Sequence, residues 1–125
     1  MTVCLHFSLD QLKPTRTTIN VKRLSHYIRE STEAQGFIKV QDFSKDGRII
    51  ASPFGYGTRL LAFSADCSEL CKCEQDSLAT KELQEISYLL SHRQAVCISK
   101  FSPTHMLVVT GCLGGEIVFH EPKLS

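Results

Sequence analysis

The chain carries one short pattern twice. Phe43-Ser44-Lys45-Asp46-Gly47-Arg48-Ile49-Ile50 and Phe101-Ser102-Pro103-Thr104-His105-Met106-Leu107-Val108 begin 58 residues apart. Each lies between short apolar runs and is followed by a glycine-containing loop. Upstream stands a second echo, Leu24-Ser25-His26 and Leu90-Ser91-His92. A small unit repeated at such a period cannot bury its apolar face alone, so it stacks on a neighbour of its own kind. The repeat constrains the architecture before any single residue does, and it points away from an enzyme.

Within each unit the elements read as short strands. Thr2 to Phe7 is a β-type run, and Leu9 to Thr18, interrupted by Pro14, is a loop. Ile19 to Ile28 alternates apolar and polar residues, which predicts a strand. Phe37 to Phe43 and Arg48 to Ser52 flank Asp46-Gly47, a strong hairpin signal because glycine tolerates the positive φ of a tight turn. Pro53-Phe54-Gly55-Tyr56-Gly57 is a second turn, and Thr58 to Phe63 is the next strand. Ser64 to Lys81 is a polar loop with three cysteines. Glu82 to Leu90 fits helical spacing and alternation alike; the repeat favours a strand. Ala95 to Phe101, Met106 to Thr110 and Glu116 to His120 complete the second unit. The chain thus divides into residues 1–18, the remnant strand and loop of a preceding unit; 19–66, the first unit; 67–81, the cysteine-containing loop; and 82–125, the second unit. Regularly spaced short strands with glycine-rich turns indicate an all-β sandwich, barrel or propeller.

Composition removes several function classes. A length of 125 residues matches about one ordinary domain, and 42% apolar residues suffice for a packed core. The net charge of +1 comes from scattered basic residues with no run of five, so nucleic-acid binding by a basic stripe is not expected. No stretch of about 18 apolar residues occurs, so no membrane span is expected. The N-terminus lacks the basic start and apolar run of a signal peptide. Six cysteines without a secretion signal suggest free thiols in a reducing compartment. An intracellular protein, cytoplasmic or nuclear, is the expectation.

These residues resemble WD repeats. The likeness rests on Ser91-His92, Phe101-Ser102-Pro103 and Gly114-Gly115-Glu116-Ile117-Val118-Phe119 in the second unit, and on Phe43-Ser44-Lys45-Asp46-Gly47-Arg48 in the first. More specific strings, Ser52-Pro53-Phe54-Gly55-Tyr56-Gly57 and Lys100-Phe101-Ser102-Pro103-Thr104-His105 among them, are similar to the end of a WD-repeat substrate receptor of cullin-4 RING ubiquitin ligases. The resemblance implies an incomplete WD40 β-propeller, about two four-stranded antiparallel blades plus part of a third. It implies a non-catalytic interaction scaffold without cofactor. Its partners would be the ligase's adaptor propeller (damage-specific DNA-binding protein), the cullin-4 complex and a protein substrate. His26, His92, Asp46, Gly47, Phe43 and Phe101 would be structural residues of the repeat. The chain departs from the pattern in having no tryptophan and no closing Trp-Asp; the nearest echo is His120-Glu121-Pro122-Lys123. His92 lacks the turn aspartate, because that turn reads Leu113-Gly114-Gly115. Because a closed ring of this class takes about seven units, the chain is expected to be the C-terminal piece, or a short product, of a larger gene.

The remaining constellations have plainer readings. Cys67, Cys71 and Cys73 with His92 offer metal-ligand chemistry, but Cys-x3-Cys-x-Cys is not a standard zinc spacing, so no metal site is assigned. Cys4, Cys97 and Cys112 read as small apolar residues in strands. No cysteine has the context of a nucleophile, and no acid, base and nucleophile converge, so no catalytic residue is assigned. Gly55-Tyr56-Gly57 and Gly111 to Gly115 lie between strands, unlike phosphate loops, which open a helix. Phe54 and Tyr56, with Arg59 and Arg48 nearby, form the candidate partner-binding group, since exposed aromatics on such turns favour interface contacts; the equal alternative is that they cover the edge of the neighbouring unit. The alternative function is a stand-alone small β-domain with a structural or self-association role.

Overall fold

A computed structural model of the chain describes residues 2–6, 24–31, 38–73 and 79–123. The described residues are almost entirely β. The strands are β1 (Thr2–His6), β2 (Leu24–Arg29), β3 (Asp42–Phe43), β4 (Ile49–Phe54) and β5 (Gly57–Ala62). A single helical turn, α1 (Leu70–Cys73), precedes β6 (Lys81–Glu82), β7 (Gln84–Leu90), β8 (Val96–Phe101), β9 (Val108–Cys112) and β10 (Ile117–His120). The expected loop at 9–18, and residues 19–23 and 37 of the expected strands, lie outside the described residues. So does 74–78 of the cysteine loop.

Two antiparallel sheets carry the repeat. The first has four strands in the order β3-β4-β5-β7, and the second has three, β10-β9-β8. The predicted Asp-Gly hairpin joins β3 to β4. Gly47 sits at φ 73°, and its N–H donates to Ser44 O at 2.8 Å. The Asp46 carboxylate accepts from Ser44 Oγ at 2.7 Å and from Arg48 N at 3.2 Å. Those bonds, with the Arg48 charge, hold Asp46 below the usual carboxylate range.

The structure differs from the expected pair of four-stranded blades in two respects, the first at β7. Residues 84–90, assigned by the repeat to the second unit, pair with β5 of the first, from Gly57↔Leu90 to Ala62↔Gln84. The structural sheet is therefore offset by one strand from the sequence repeat. The physical reason lies at Leu83. Its side chain is buried in the first core, and its N–H donates to Tyr27 O at 2.8 Å, which delivers the following strand to the open edge of β5. Among the described residues the second sheet keeps three strands.

The predicted strand ending at Ile28 also departs from the antiparallel meander. β2 lies between β1 and β6 in a third sheet, parallel to both. It covers one face of the first sheet. Ile28, Ile50, Leu61, Phe63 and Leu83 form the core there, with Leu70 and Cys73 packed against it. Burying such a side chain contributes about 1.5–3 kcal/mol each. β5 is buried at nearly every position because its other face turns to the second sheet. There β8 packs on β3 and β4, and Val40 forms a parallel bridge to Ile98. Backbone bonds Val40 N–H to Cys97 O, 2.9 Å, and Ser99 N–H to Val40 O, 3.1 Å, close the joint.

Candidate partner-binding surface

The turn between β4 and β5 is gripped from behind. Val96 N–H donates to Gly55 O at 2.9 Å, and His92 N–H donates to Tyr56 O at 3.0 Å. Gly55 adopts φ 57°, a conformation that glycine reaches without steric cost. The turn backbone is thereby fixed while the Tyr56 ring stands 57% exposed. Tyr88 and Leu90, at 41% and 69% exposure, emerge from the neighbouring end of β7.

Beneath them lies an ion-pair cluster that the sequence did not reveal. Glu30, with only 5% of its side chain exposed, accepts from Arg59 at 2.7 Å and from Lys39 at 3.0 Å. The Arg59 guanidinium lies 4.3 Å over the Phe54 ring, a cation–π geometry. Phe54 meets Tyr88 edge-on at 6.4 Å, and Tyr88 Oη donates to Phe54 O at 2.8 Å. Burial pushes the Tyr88 phenol above its usual value, with Glu85 adding to the effect. Of the three expected contact residues, Tyr56 faces outward, Phe54 is half-buried, and Arg59 is buried and positions Phe54. Arg48 does not join them. It sits at the opposite end of β4 and reaches Glu69 at 2.8 Å.

The two histidines of the repeat are both buried, His26 at 1% and His92 at 7% exposure. His26 packs edge-on against Phe63 at 5.1 Å. His92 Nε2 meets Thr110 Oγ1 at 2.7 Å, and the same hydroxyl meets His120 Nε2 at 3.0 Å. His92 Nδ1 is buried with no hydrogen-bond partner among the described residues, and the adjacent Leu113-Gly114-Gly115 turn supplies no carboxylate. Thr110 and His120 were missed in the sequence, although His120 occupies the place where the repeat would close on Trp-Asp. Phe43 is partly exposed at the sheet edge. Phe101 lines a cleft of about 750 Å³ between the two sheets, with Leu60, Leu89, Met106, Val108 and His120.

The cysteines are dispersed. Cys112 is buried, Cys67, Cys73 and Cys97 are half-buried and Cys71 is exposed, all as free thiols. The Cys4 side chain lies outside the described set. No group of three or more His, Cys, Asp or Glu side chains converges among the described residues. No helix among them is long and apolar enough to cross a membrane.

The fold and surface define an all-β protein of antiparallel blade-like sheets, an incomplete propeller-like unit with an aromatic turn presented at one end. The sequence is 50% identical over 101 residues to DDB1- and CUL4-associated factor 10 of Xenopus laevis. It is 47% identical over 100 residues to the Danio rerio protein of that name and 46% over 101 residues to that of Homo sapiens. These matches cover 81%, 80% and 81% of this chain, and 22%, 19% and 18% of the relatives. The chain thus spans about a fifth of the length of the curated relatives it matches. No protein-family model matches it, and no solved structure does.

Proposed function

We propose that the chain is part of a non-catalytic substrate receptor of a cullin-4 RING ubiquitin ligase, an interaction scaffold that associates with DDB1 and CUL4. The observation that carries this reading is the 46–50% identity across four-fifths of the chain to proteins named for that association. The geometry supports it. Tyr56 is held outward on a rigid turn, with Phe54 locked by Arg59 beneath, so contact with a partner orders few new groups. Phe54 and Tyr56, supported by Arg59, are the proposed partner-binding residues.

Affinity-tagged chain co-expressed with DDB1 and CUL4 tests the proposal. Co-elution with DDB1 is the expected result, and Tyr56→Ala weakens capture of whichever partner meets the turn. If neither this chain nor a longer product containing it co-purifies with DDB1, the reading fails.

A further inference from the structure

The hairpin turns that begin at Ser44 and Ser102 share one frame but not one charge. Ser44 N–H donates to Ile49 O and Ser102 N–H to Leu107 O, each at 2.8 Å, so the two turns correspond residue for residue. In the first turn Asp46 supplies an anion. Its Oδ1 lies 2.7 Å from Ser44 Oγ and takes the Arg48 N–H at 3.2 Å. In the second turn Thr104 stands at the Asp46 position and Met106 at the Arg48 position. Residues 102–107 contain no acid, so the Met106 N–H lacks the turn carboxylate that the Arg48 N–H has. Ser102 Oγ instead accepts the N–H groups of Thr104 at 3.3 Å and His105 at 3.1 Å. Backbone N–H groups that converge in this way favour an anion.

The sequence holds two Ser-Pro dipeptides, and the structure separates them. Ser52-Pro53 lies inside β4, with both residues fully buried. Ser102-Pro103 lies beyond the last ladder pair of β8 and β9, Phe101↔Val108, and residues 103–106 are all exposed. It is a turn between two paired strands, so its exposure is not that of a sheet edge. A surface turn of this kind opens locally while its strands stay paired.

We propose that Ser102 is a phosphorylation site for a proline-directed serine/threonine kinase, and that its phosphate supplies the anion missing from the second turn. In the transfer Ser102 Oγ bonds to the γ-phosphorus of ATP, and the bond from that phosphorus to the ADP oxygen breaks. The hydroxyl proton passes to the kinase's base. The phosphate brings a charge of about −1.5 to −2 and three strong acceptor oxygens. Those oxygens stand beside Ser102 Oγ as the Asp46 carboxylate stands beside Ser44 Oγ. They take the N–H groups of the turn, that of Met106 among them. Ser102 also lines the cleft between the sheets, with Lys45, Asp46 and Glu121. The modification makes that rim strongly acidic, and so turns it from acidic partners toward basic ones. This inference goes beyond the ligase reading and does not depend on it.

Incubation of the folded full chain with ATP and a panel of proline-directed kinases, followed by mapping of the phosphate by mass spectrometry, tests the proposal. One phosphate on Ser102 is expected, with Ser52 unmodified. Pro103→Ala keeps the hydroxyl and should lower incorporation at least about tenfold, because the kinase loses the ring it reads. The anion frame has its own readout in amide nuclear magnetic resonance. On phosphorylation the Met106 amide proton should move downfield and titrate with the phosphate, whose second pKa is about 6, while that of Arg48 stays in place. No incorporation at Ser102 by any of the kinases overturns the proposal. So does equal incorporation at Ser52, or incorporation at Ser102 that Pro103→Ala leaves unchanged. A Met106 amide that does not follow the phosphate overturns the frame.

Discussion

The hydroxyl of Thr110 joins two imidazoles with a single hydrogen to give. His92 Nδ1 is buried without a partner among the described residues, so the tautomer with the proton on Nε2, donating to Thr110, is the one that leaves no buried N–H unpaired. Thr110 then donates to His120 Nε2, which must be unprotonated. Burial first, and the neighbouring His92 second, hold the His120 imidazole below its usual range. The unfolded chain therefore takes up this proton before the folded one does. The resulting stabilisation is complete above about pH 6.5 and is lost as the pH falls through the lower folded value. His120→Gln should flatten that acid limb in urea titrations run at successive pH values. Thr110→Val should cost about 1–3 kcal/mol by chemical denaturation, because it leaves two imidazole nitrogens without their bridge. The sequence exposed the recurring histidines, since Leu-Ser-His occurs twice. It hid Thr110 and His120, because a threonine in a strand and a lone histidine have no pattern until the strands are paired.

At the level of elements, β7 is the strand whose place the sequence misassigned. Alternation of Ile86, Tyr88 and Leu90 correctly marked it as a strand, yet its partner was set by Leu83 entering the first core and by the shape of β5. Gly57 makes the pairing possible. A Cβ there would lie 2.5 Å from Leu89 O and 2.8 Å from the Tyr88 ring. The backbone oxygen cannot move without breaking the ladder. Gly57→Ala should therefore cost about 1–3 kcal/mol through overpacking. It should also raise amide hydrogen exchange along β7 more than along β9. The Asp46-Gly47 hairpin, by contrast, formed where local chemistry demanded it, because a turn dipeptide carries its own φ requirement.

Across the whole molecule, the two sheets meet at their inner strands and open outward. Asp42 at the end of β3 ties the joint: its Oδ2 accepts from Phe101 N at 2.9 Å, and Lys100 lies 3.6 Å from Oδ1. Thr58 and Ser99 share a buried hydrogen bond of 2.8 Å across the same seam. Asp42→Ala should lower stability by about 1–3 kcal/mol, since it strands the Phe101 amide. In hydrogen exchange that amide should lose protection before those of β5. Farther out, the cleft lined by Leu60, Leu89 and Met106 reaches His120 at the end of β10. None of this was legible in the chain, because Asp42 and Phe101 are 59 residues apart and meet only when the sheets stack.

The sequence by itself determined the kind of protein. Its twofold pattern, short alternating runs and Asp-Gly turn dictate an all-β modular architecture, because period and turn chemistry are local properties of a chain. The tertiary structure alone decided which strands share a sheet and how Arg59 is buried against Glu30 and Phe54. Those outcomes depend on side chains brought together from distant positions by the burial of Ile28, Leu61 and Leu83, and no local pattern encodes them.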